Sequence, residues 1–180
     1  MTGSVRTWIP AAVVAVVIAT LLGAAAVFGL RHPNSASAPA MSPSPDLHSP
    51  EAVMAAVHHY YEVEAKARRT GDGSLIDSVT TGPDSLASQN FKAFIAEQTA
   101  ANRRSVILEN HFDGWTISTT GDGATATYSF WLRGHDLDAS SGQAVEVDSL
   151  TIKGRYRMQM QFARGRWLSS ERQLLQDNVR

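Results

Sequence analysis

The sequence predicts an α+β protein in which an N-terminal transmembrane helix precedes helices packed on a curved antiparallel sheet. Three observations predict this class. Residues 9–30 form an uncharged apolar run, and residues 51–101 carry apolar side chains at helical spacing. After Arg104 the period of the apolar residues changes from 3.6 to 2, which indicates strands. Helices followed by a succession of strands are typical of the α+β class.

The run from Ile9 to Leu30 predicts a single membrane span. As a helix it would be about 33 Å long, close to the roughly 30 Å hydrocarbon core of a bilayer. Trp8 and Arg31 flank the run, as is typical of membrane interfaces. A cleaved signal peptide is the alternative, although its apolar region is normally about 7–15 residues long. A lipid-anchored lipoprotein is excluded because no cysteine follows the run.

The segments on either side of the span predict how the rest of the chain is presented. Residues 1–8 form a short N-terminal tail, which a signal anchor normally retains inside while the remainder is exported. Residues 31–50 form a linker that holds five of the seven prolines, a composition that favours polyproline II. We therefore expect a single-pass protein of the cell membrane whose 51–180 domain is extracytoplasmic and tethered.

Composition excludes several classes of function. A formal net charge of −1 argues against bulk binding of nucleic acid, which needs a basic surface. Without cysteine the chain cannot form a disulfide, an iron–sulfur cluster, a thiolate zinc site or a cysteine nucleophile. It also has no phosphate-binding glycine loop, no Gly-x-Ser-x-Gly elbow and no His-Glu-x-x-His motif. We expect no cofactor, no metal and no catalytic residues.

Three helices are predicted at the start of the domain. Ser49 caps the first, which starts with Pro50 and is ended by Gly71. Its inward stripe holds Val53, Val57, Tyr60 and Glu64. A short second helix spans residues 74–79, and a third, capped by Asp84 or Ser85, reaches about Ala101.

Strands are predicted after Arg104. In the first, Val106, Leu108, Asn110 and Phe112 share a face. Gly121-Asp122-Gly123 forms a tight turn into a second strand over residues 124–133, and a polar loop follows over residues 134–143. The longest strand covers residues 150–162, and Arg164-Gly165-Arg166 turns the chain into a last strand that begins at Trp167. One face of this sheet is expected to be buried and the other solvated.

This arrangement resembles a known family. The order of helices and strands, Thr70-Gly71-Asp72 after the first helix and Gly165-Arg166-Trp167 near the carboxyl end are similar to the NTF2-like, or SnoaL-like, superfamily. Over roughly residues 51–177 the chain looks most like its membrane-anchored actinobacterial members, including the mammalian-cell-entry-associated (Mce-associated) membrane proteins. The resemblance implies a sheet wrapped around a conical pocket closed by the first helix. Enzymes of the family carry an Asp or a His–Asp pair in that cone, whereas the long strand here offers no inward carboxylate.

Two functions from different classes follow. The first is a membrane-anchored, non-catalytic interaction or accessory domain of a cell-envelope complex for transport or secretion, with an envelope protein or a second copy as partner. A third alternative is a secretion component with the same anchor and fold, but the very short N-terminal tail gives this alternative little support. The second is a small apolar ligand-binding protein, or a SnoaL-like enzyme, that uses the cone. Its predicted pocket residues are Tyr60, Tyr128, Tyr156, Met158 and Met160.

One surface is the strongest candidate for binding a partner. The outward face of the long strand and its turn carry Lys153, Arg155, Arg157, Arg164 and Arg166, which could bind lipid head groups or an acidic partner. The alternative is an ordinary solvated face, partly neutralised by Glu146, Asp148 and Glu171.

Three weaker clusters favour structural or solvated roles. They are His58-His59-Tyr60-Tyr61, the strand pair His111 and Asp113, and the loop group His135, Asp136 and Asp138.

Overall fold

A computed structural model describes residues 46–145 and 150–177. The tail, the span predicted over residues 9–30 and most of the 31–50 linker lie outside the described residues. Within the described part, no helix combines the length and hydropathy needed to cross a bilayer. The predicted α+β class is confirmed, because helices pack there on a four-stranded antiparallel sheet.

The helices begin and end where the capping residues predict. Helix α1 spans Pro50–Thr70, a 3₁₀ helix spans Gly73–Ser78, and helix α2 spans Leu86–Ala100. The Ser49 side chain accepts a hydrogen bond from the backbone N–H of Ala52 at 3.2 Å. Gly71 ends α1 in the left-handed region, with φ of 74°, where a residue without a Cβ has no steric penalty. Of the two predicted N-cap residues of α2, Ser85 is the cap, because its side chain accepts a hydrogen bond from the backbone N–H of Ser88.

The sheet is a meander with strand order β1-β2-β3-β4. The strands are β1 (Arg103–Thr120), β2 (Gly123–Asp138), β3 (Leu150–Ala163) and β4 (Arg166–Asp177). Each strand pairs antiparallel with the next, so β2 and β3 are central and β1 and β4 form the edges. The predicted order and approximate positions of the four strands are confirmed.

The loop predicted over residues 134–143 is wrong at its start, because β2 continues to Asp138. Gly134 pairs with Ile107, and the ladder runs on to the pair of Asp138 with Arg103. The polar side chains that suggested a loop are used in the sheet instead. The Asp136 carboxylate, for example, accepts a hydrogen bond from Ser105 Oγ at 2.7 Å.

The face predicted for β1 is wrong at Leu108. The register shifts between Ile107 and Glu109, which marks a bulge that exchanges inward and outward positions. Ile107 consequently packs against the core, whereas Leu108 is 56% exposed. Phe112 does lie inward as predicted, because it follows the bulge.

The core lies between α1 and the inner face of the sheet. Helix α1 contacts β1, β2 and β4, and α2 packs against the 3₁₀ helix, β4 and β1. The predicted alternation of β2 is confirmed. Its buried residues are Ala124, Ala126, Tyr128, Phe130 and Leu132. Met158 and Met160 of β3 are buried on the same side.

Gly134 provides a test of this packing. A Cβ at this position would lie 2.4 Å from the backbone oxygen of Val106, so Gly134→Ala forces two strands apart. We expect it to lower the free energy of unfolding by about 1–3 kcal/mol, as overpacking does. Gly123→Ala, also in β2, is the matched control, because its Cβ would meet no atom closer than 3.5 Å. Equal thermal unfolding midpoints for the two variants would contradict this prediction.

Candidate functional site

A buried acid is held between two arginines beneath the helices. Glu64 lies on the inward stripe of α1 and is 3% exposed. Arg68, one turn later, donates from Nε and Nη2 to Glu64 Oε1 at 3.0 and 2.6 Å. Arg172, from β4, donates from Nη1 to Glu64 Oε2 at 2.5 Å. We call Glu64, Arg68 and Arg172 the buried triad.

The two arginines keep the acid ionised. Burial on its own would raise the pKa of Glu64, but the charges of Arg172 and Arg68 outweigh it and hold that pKa below its ordinary value. Burial likewise opposes the charge of Arg172, while Glu64 raises the pKa of this guanidinium well above its ordinary value. The triad therefore carries two positive charges and one negative charge.

Aromatic side chains fill the space between α1 and the sheet. The hydroxyls of Tyr61 and Tyr128 form a hydrogen bond of 3.1 Å, and burial raises the pKa of both tyrosines. The Tyr61 ring stacks on Phe130 with centroids 4.3 Å apart, and Trp115 lies 4.8 Å from Tyr128. These contacts close the inner face of the sheet around β2.

The predicted pocket residues occupy different surroundings. Tyr128 and Met158 have no exposed surface, Met160 is 4% exposed and Tyr156 is half-buried beside Tyr128. Tyr60 instead lines a cleft of about 130 Å³ together with Arg68 and Arg172. A separate apolar groove of about 290 Å³ lies where the start of α1 meets the turn between β3 and β4. Neither of these two spaces is lined by Tyr128, Tyr156, Met158 or Met160.

The basic residues of β3 lie together on the outer face of the sheet. Lys153, Arg155 and Arg157 are exposed, and Arg164 and Arg166 are exposed at the turn that follows. The register sets Lys153 beside Trp131, Arg155 beside Ser129 and Arg157 beside Thr127. We call Lys153, Arg155 and Arg157 the basic row.

Several other cations of the sheet and helices form ion pairs within the domain. Arg133 pairs with Glu109, and Lys92 Nζ lies 2.7 Å from Asp77 Oδ2. The basic row makes no ion pair with any residue among 46–145 and 150–177. Of the expected neutralising acids, Glu171 lies opposite Gln159, while Glu146 and Asp148 are outside the described residues.

The histidine clusters have structural or solvated surroundings. The His58 ring lies 4.4 Å from Phe112, and His59 Nδ1 lies 3.2 Å from the exposed Glu62. His111 and Asp113 are more than half exposed, with Nε2 and Oδ2 3.8 Å apart, which is beyond hydrogen-bonding distance. Across the described ranges, no three His, Asp or Glu side chains are grouped as metal ligands.

In the loop group, Asp138 organises the turn after β2. Its Oδ1 accepts hydrogen bonds from the backbone N–H groups of Ser140 and Ser141, and these bonds lower its pKa. This use of the carboxylate is structural.

Sequence reasoning missed the buried triad. Glu64 stands on the predicted inward stripe of α1, and an acid on an apolar stripe with an arginine four residues later signals a buried pair. Arg172 had no such signal, because its position opposite Glu64 depends on the register of β4. That register shifts twice along β3.

Comparisons with solved structures support the fold. The chain is similar to the intermembrane space region of the chloroplast protein ARC6, with 14% identity, a TM-score of 0.55 and coverage of 75% of this chain and 100% of that one. A protein from Catenulispora acidiphila has 14% identity, a TM-score of 0.51 and coverage of 71% and 94%. The Kfla4162 protein from Kribbella flavida has 15% identity, a TM-score of 0.51 and coverage of 73% and 94%.

At these identities the likeness establishes the fold alone. These structures share with the chain the predicted α+β fold of helices packed on an antiparallel sheet, while the NTF2-like superfamily itself stays a prediction. No protein-family model and no curated protein matches the chain. The membrane-anchored, Mce-associated subtype stays a prediction.

Proposed function

We propose that this chain is a membrane-anchored, non-catalytic interaction domain that binds an acidic protein of a cell-envelope transport or secretion complex through its basic row. The observation that carries the proposal is the absence of any ion pair to Lys153, Arg155 and Arg157 within the described residues. Three neighbouring cations on a paired, central strand repel one another, and an acidic surface would relieve that repulsion.

The surroundings of the basic row favour a protein partner. Its flanking residues on β2 are Thr127, Ser129 and Trp131, which offer hydroxyl groups and one half-buried aromatic ring. Aromatic residues and arginine are enriched at protein interfaces, where they supply contact area and directed hydrogen bonds.

The interior supports a non-catalytic role. In the described ranges, Glu64 is the acid that is buried, and each of its oxygens accepts a hydrogen bond from a guanidinium. An acid whose pKa is lowered by two cations is a weak proton acceptor at neutral pH, so it makes a poor general base. The ligand-binding alternative stays a prediction, and the close packing around Tyr128 and Met158 gives it no support.

The anchor and compartment in this proposal are supported by the uncharged run over residues 9–30 and by the proline-rich linker. A tether of this kind would keep the domain near an integral membrane partner. The Mce-associated resemblance makes an actinobacterial envelope complex the expected setting.

Charge reversal of the basic row tests the interface. With p-benzoylphenylalanine in place of the exposed, outward Thr151, we expect irradiation of carbonate-washed native membranes to link the full-length chain to one envelope protein. Arg155→Glu with Arg157→Glu should lower the yield of that adduct about tenfold or more, because two attractive contacts become repulsive.

The matched control is Lys66→Glu with Arg69→Glu. These exposed residues of α1 undergo the same change in charge on the helical side of the domain. The adduct should persist in this control. An adduct of equal yield in both double variants, or the absence of any adduct, would refute the proposed interface.

A further inference from the structure

We propose that the cleft between α1, α2 and β4 is a second binding site, which takes a small organic monocarboxylate on Arg68 and Arg172. This site is separate from the proposed interaction surface, because its lining comes from α1, α2 and β4 and not from the outer face of β3. It rests on the charge of the buried triad, on the unused donors of its arginines and on the lining of the cleft.

The charge of the triad is unbalanced by one unit. Arg68 is 9% exposed at its side chain, Arg172 is 24% exposed, and they share the single carboxylate of Glu64. A charge in such surroundings is stabilised by a counter-charge at short range. Nearby Asp and Glu side chains do not supply one, since both arginines form ion pairs only with Glu64 among the described residues.

Donor groups of the two arginines remain available. Arg68 uses Nε and Nη2 on Glu64, which leaves Nη1, and Arg172 uses Nη1, which leaves Nε and Nη2. None of these remaining nitrogens donates to an acceptor in the described part of the chain. Tyr60 also lines the cleft, and its hydroxyl makes no hydrogen bond to a described residue. Burial raises the pKa of Tyr60 to about 12, so the phenol keeps its proton as a further donor.

The geometry of these donors suits a carboxylate. A guanidinium presents parallel N–H groups in a planar fork that matches the two oxygens of a carboxylate. A monoanion would also bring the net charge of the cleft to zero, whereas a phosphate dianion would exceed it.

The lining and volume limit the rest of the ligand. Phe91 and Phe94 of α2 line the cleft, and the Arg68 guanidinium lies 4.1 Å from the centroid of the Phe94 ring. These rings favour a short hydrocarbon next to the carboxylate. The cleft volume of about 130 Å³ restricts the ligand to a small molecule. Acetate and propionate are ligands of this size.

Asn90 allows the site to be tested without disturbing the triad. It lines the cleft, is exposed on α2 and makes no hydrogen bond to a described residue. Asn90→Asp is isosteric and adds a negative charge beside the binding position. We expect equilibrium dialysis of the full-length protein against carbon-14-labelled propionate to show binding that Asn90→Asp weakens by about tenfold.

Two controls separate this site from other effects. Gln89→Glu makes the same amide-to-acid change at the preceding residue of α2, which does not line the cleft, and should change propionate affinity less than about twofold. Arg155→Glu with Arg157→Glu should leave propionate binding unchanged, so that failure of this site and failure of the outer interface are distinguishable.

Competition identifies the class of anion. Unlabelled acetate should displace propionate, while phosphate and chloride at equal ionic strength should not. The proposal is overturned if no propionate binds, if Asn90→Asp binds it as well as the unmodified chain, or if phosphate displaces it as effectively as acetate does.

Discussion

Replacing Glu64 with glutamine is expected to lower the free energy of unfolding by about 3–5 kcal/mol. The substitution keeps the size of the side chain but leaves Arg68 and Arg172 without their shared counter-charge in a largely buried position. Urea unfolding of the full-length protein in micelles, followed by tyrosine and tryptophan fluorescence, measures this change.

Glu62→Gln is the matched control, because Glu62 is two residues away on α1 but is 74% exposed at its side chain. A surface acid paired with one histidine contributes little, so we expect a change within about 0.5 kcal/mol. Equal effects of the two variants would mean that the triad does not stabilise the fold.

The stability difference between the unmodified chain and Glu64→Gln depends on pH. The folded-state pKa of Glu64 is lowered from its ordinary value of 4.5. Its contribution to stability is therefore complete above that ordinary value and is lost as the pH falls through the folded pKa. We expect the difference between the unmodified chain and Glu64→Gln to be constant near neutral pH and to shrink only in strong acid.

Truncating Tyr128 is expected to be equally damaging, with Tyr128→Ala costing about 3–5 kcal/mol. Tyr128 has no exposed surface and lies between the rings of Trp115 and Tyr156, so its removal leaves a cavity in the centre of the core. Tyr128→Phe should cost about 1–3 kcal/mol, because it keeps the ring and leaves the buried Tyr61 hydroxyl without its partner.

The difference between these two variants measures how tightly the inner face of the sheet is packed. A cost below about 1 kcal/mol for Tyr128→Ala in urea unfolding would indicate that the space around the ring is already open. That result would favour the ligand-binding alternative, in which Tyr128 lines a pocket.

The helices and most strands could be predicted because local chemistry sets them. Ser49 and Gly71 supply the two caps of α1, and the strict alternation in β2 places one face against the core. These features depend on residues a few positions apart. The inward positions of Tyr60 and Met158 follow from the same short-range patterns.

The remaining features depend on contacts between distant residues. The bulge at Leu108 reverses a face that alternation alone assigns wrongly, and the length of β2 depends on its pairing with the first residues of β1. The meeting of Arg172 with Glu64 joins residues 108 positions apart across a shifted register. No local pattern reports such a contact, so the proposed anion site could not be found from the sequence.

The three lysines of the chain report whether the outer face of β3 binds an envelope protein. Lys153 belongs to the basic row, whereas Lys66 and Lys92 lie on α1 and α2. Amine-reactive crosslinking of the full-length protein in native membranes, followed by mass spectrometry, therefore reports which side meets a partner. We expect reproducible crosslinks from Lys153 to one envelope protein and none to it from Lys66 or Lys92. Crosslinks to a partner through Lys66 or Lys92 alone, or from no lysine, would show that the outer face of β3 does not bind an envelope protein.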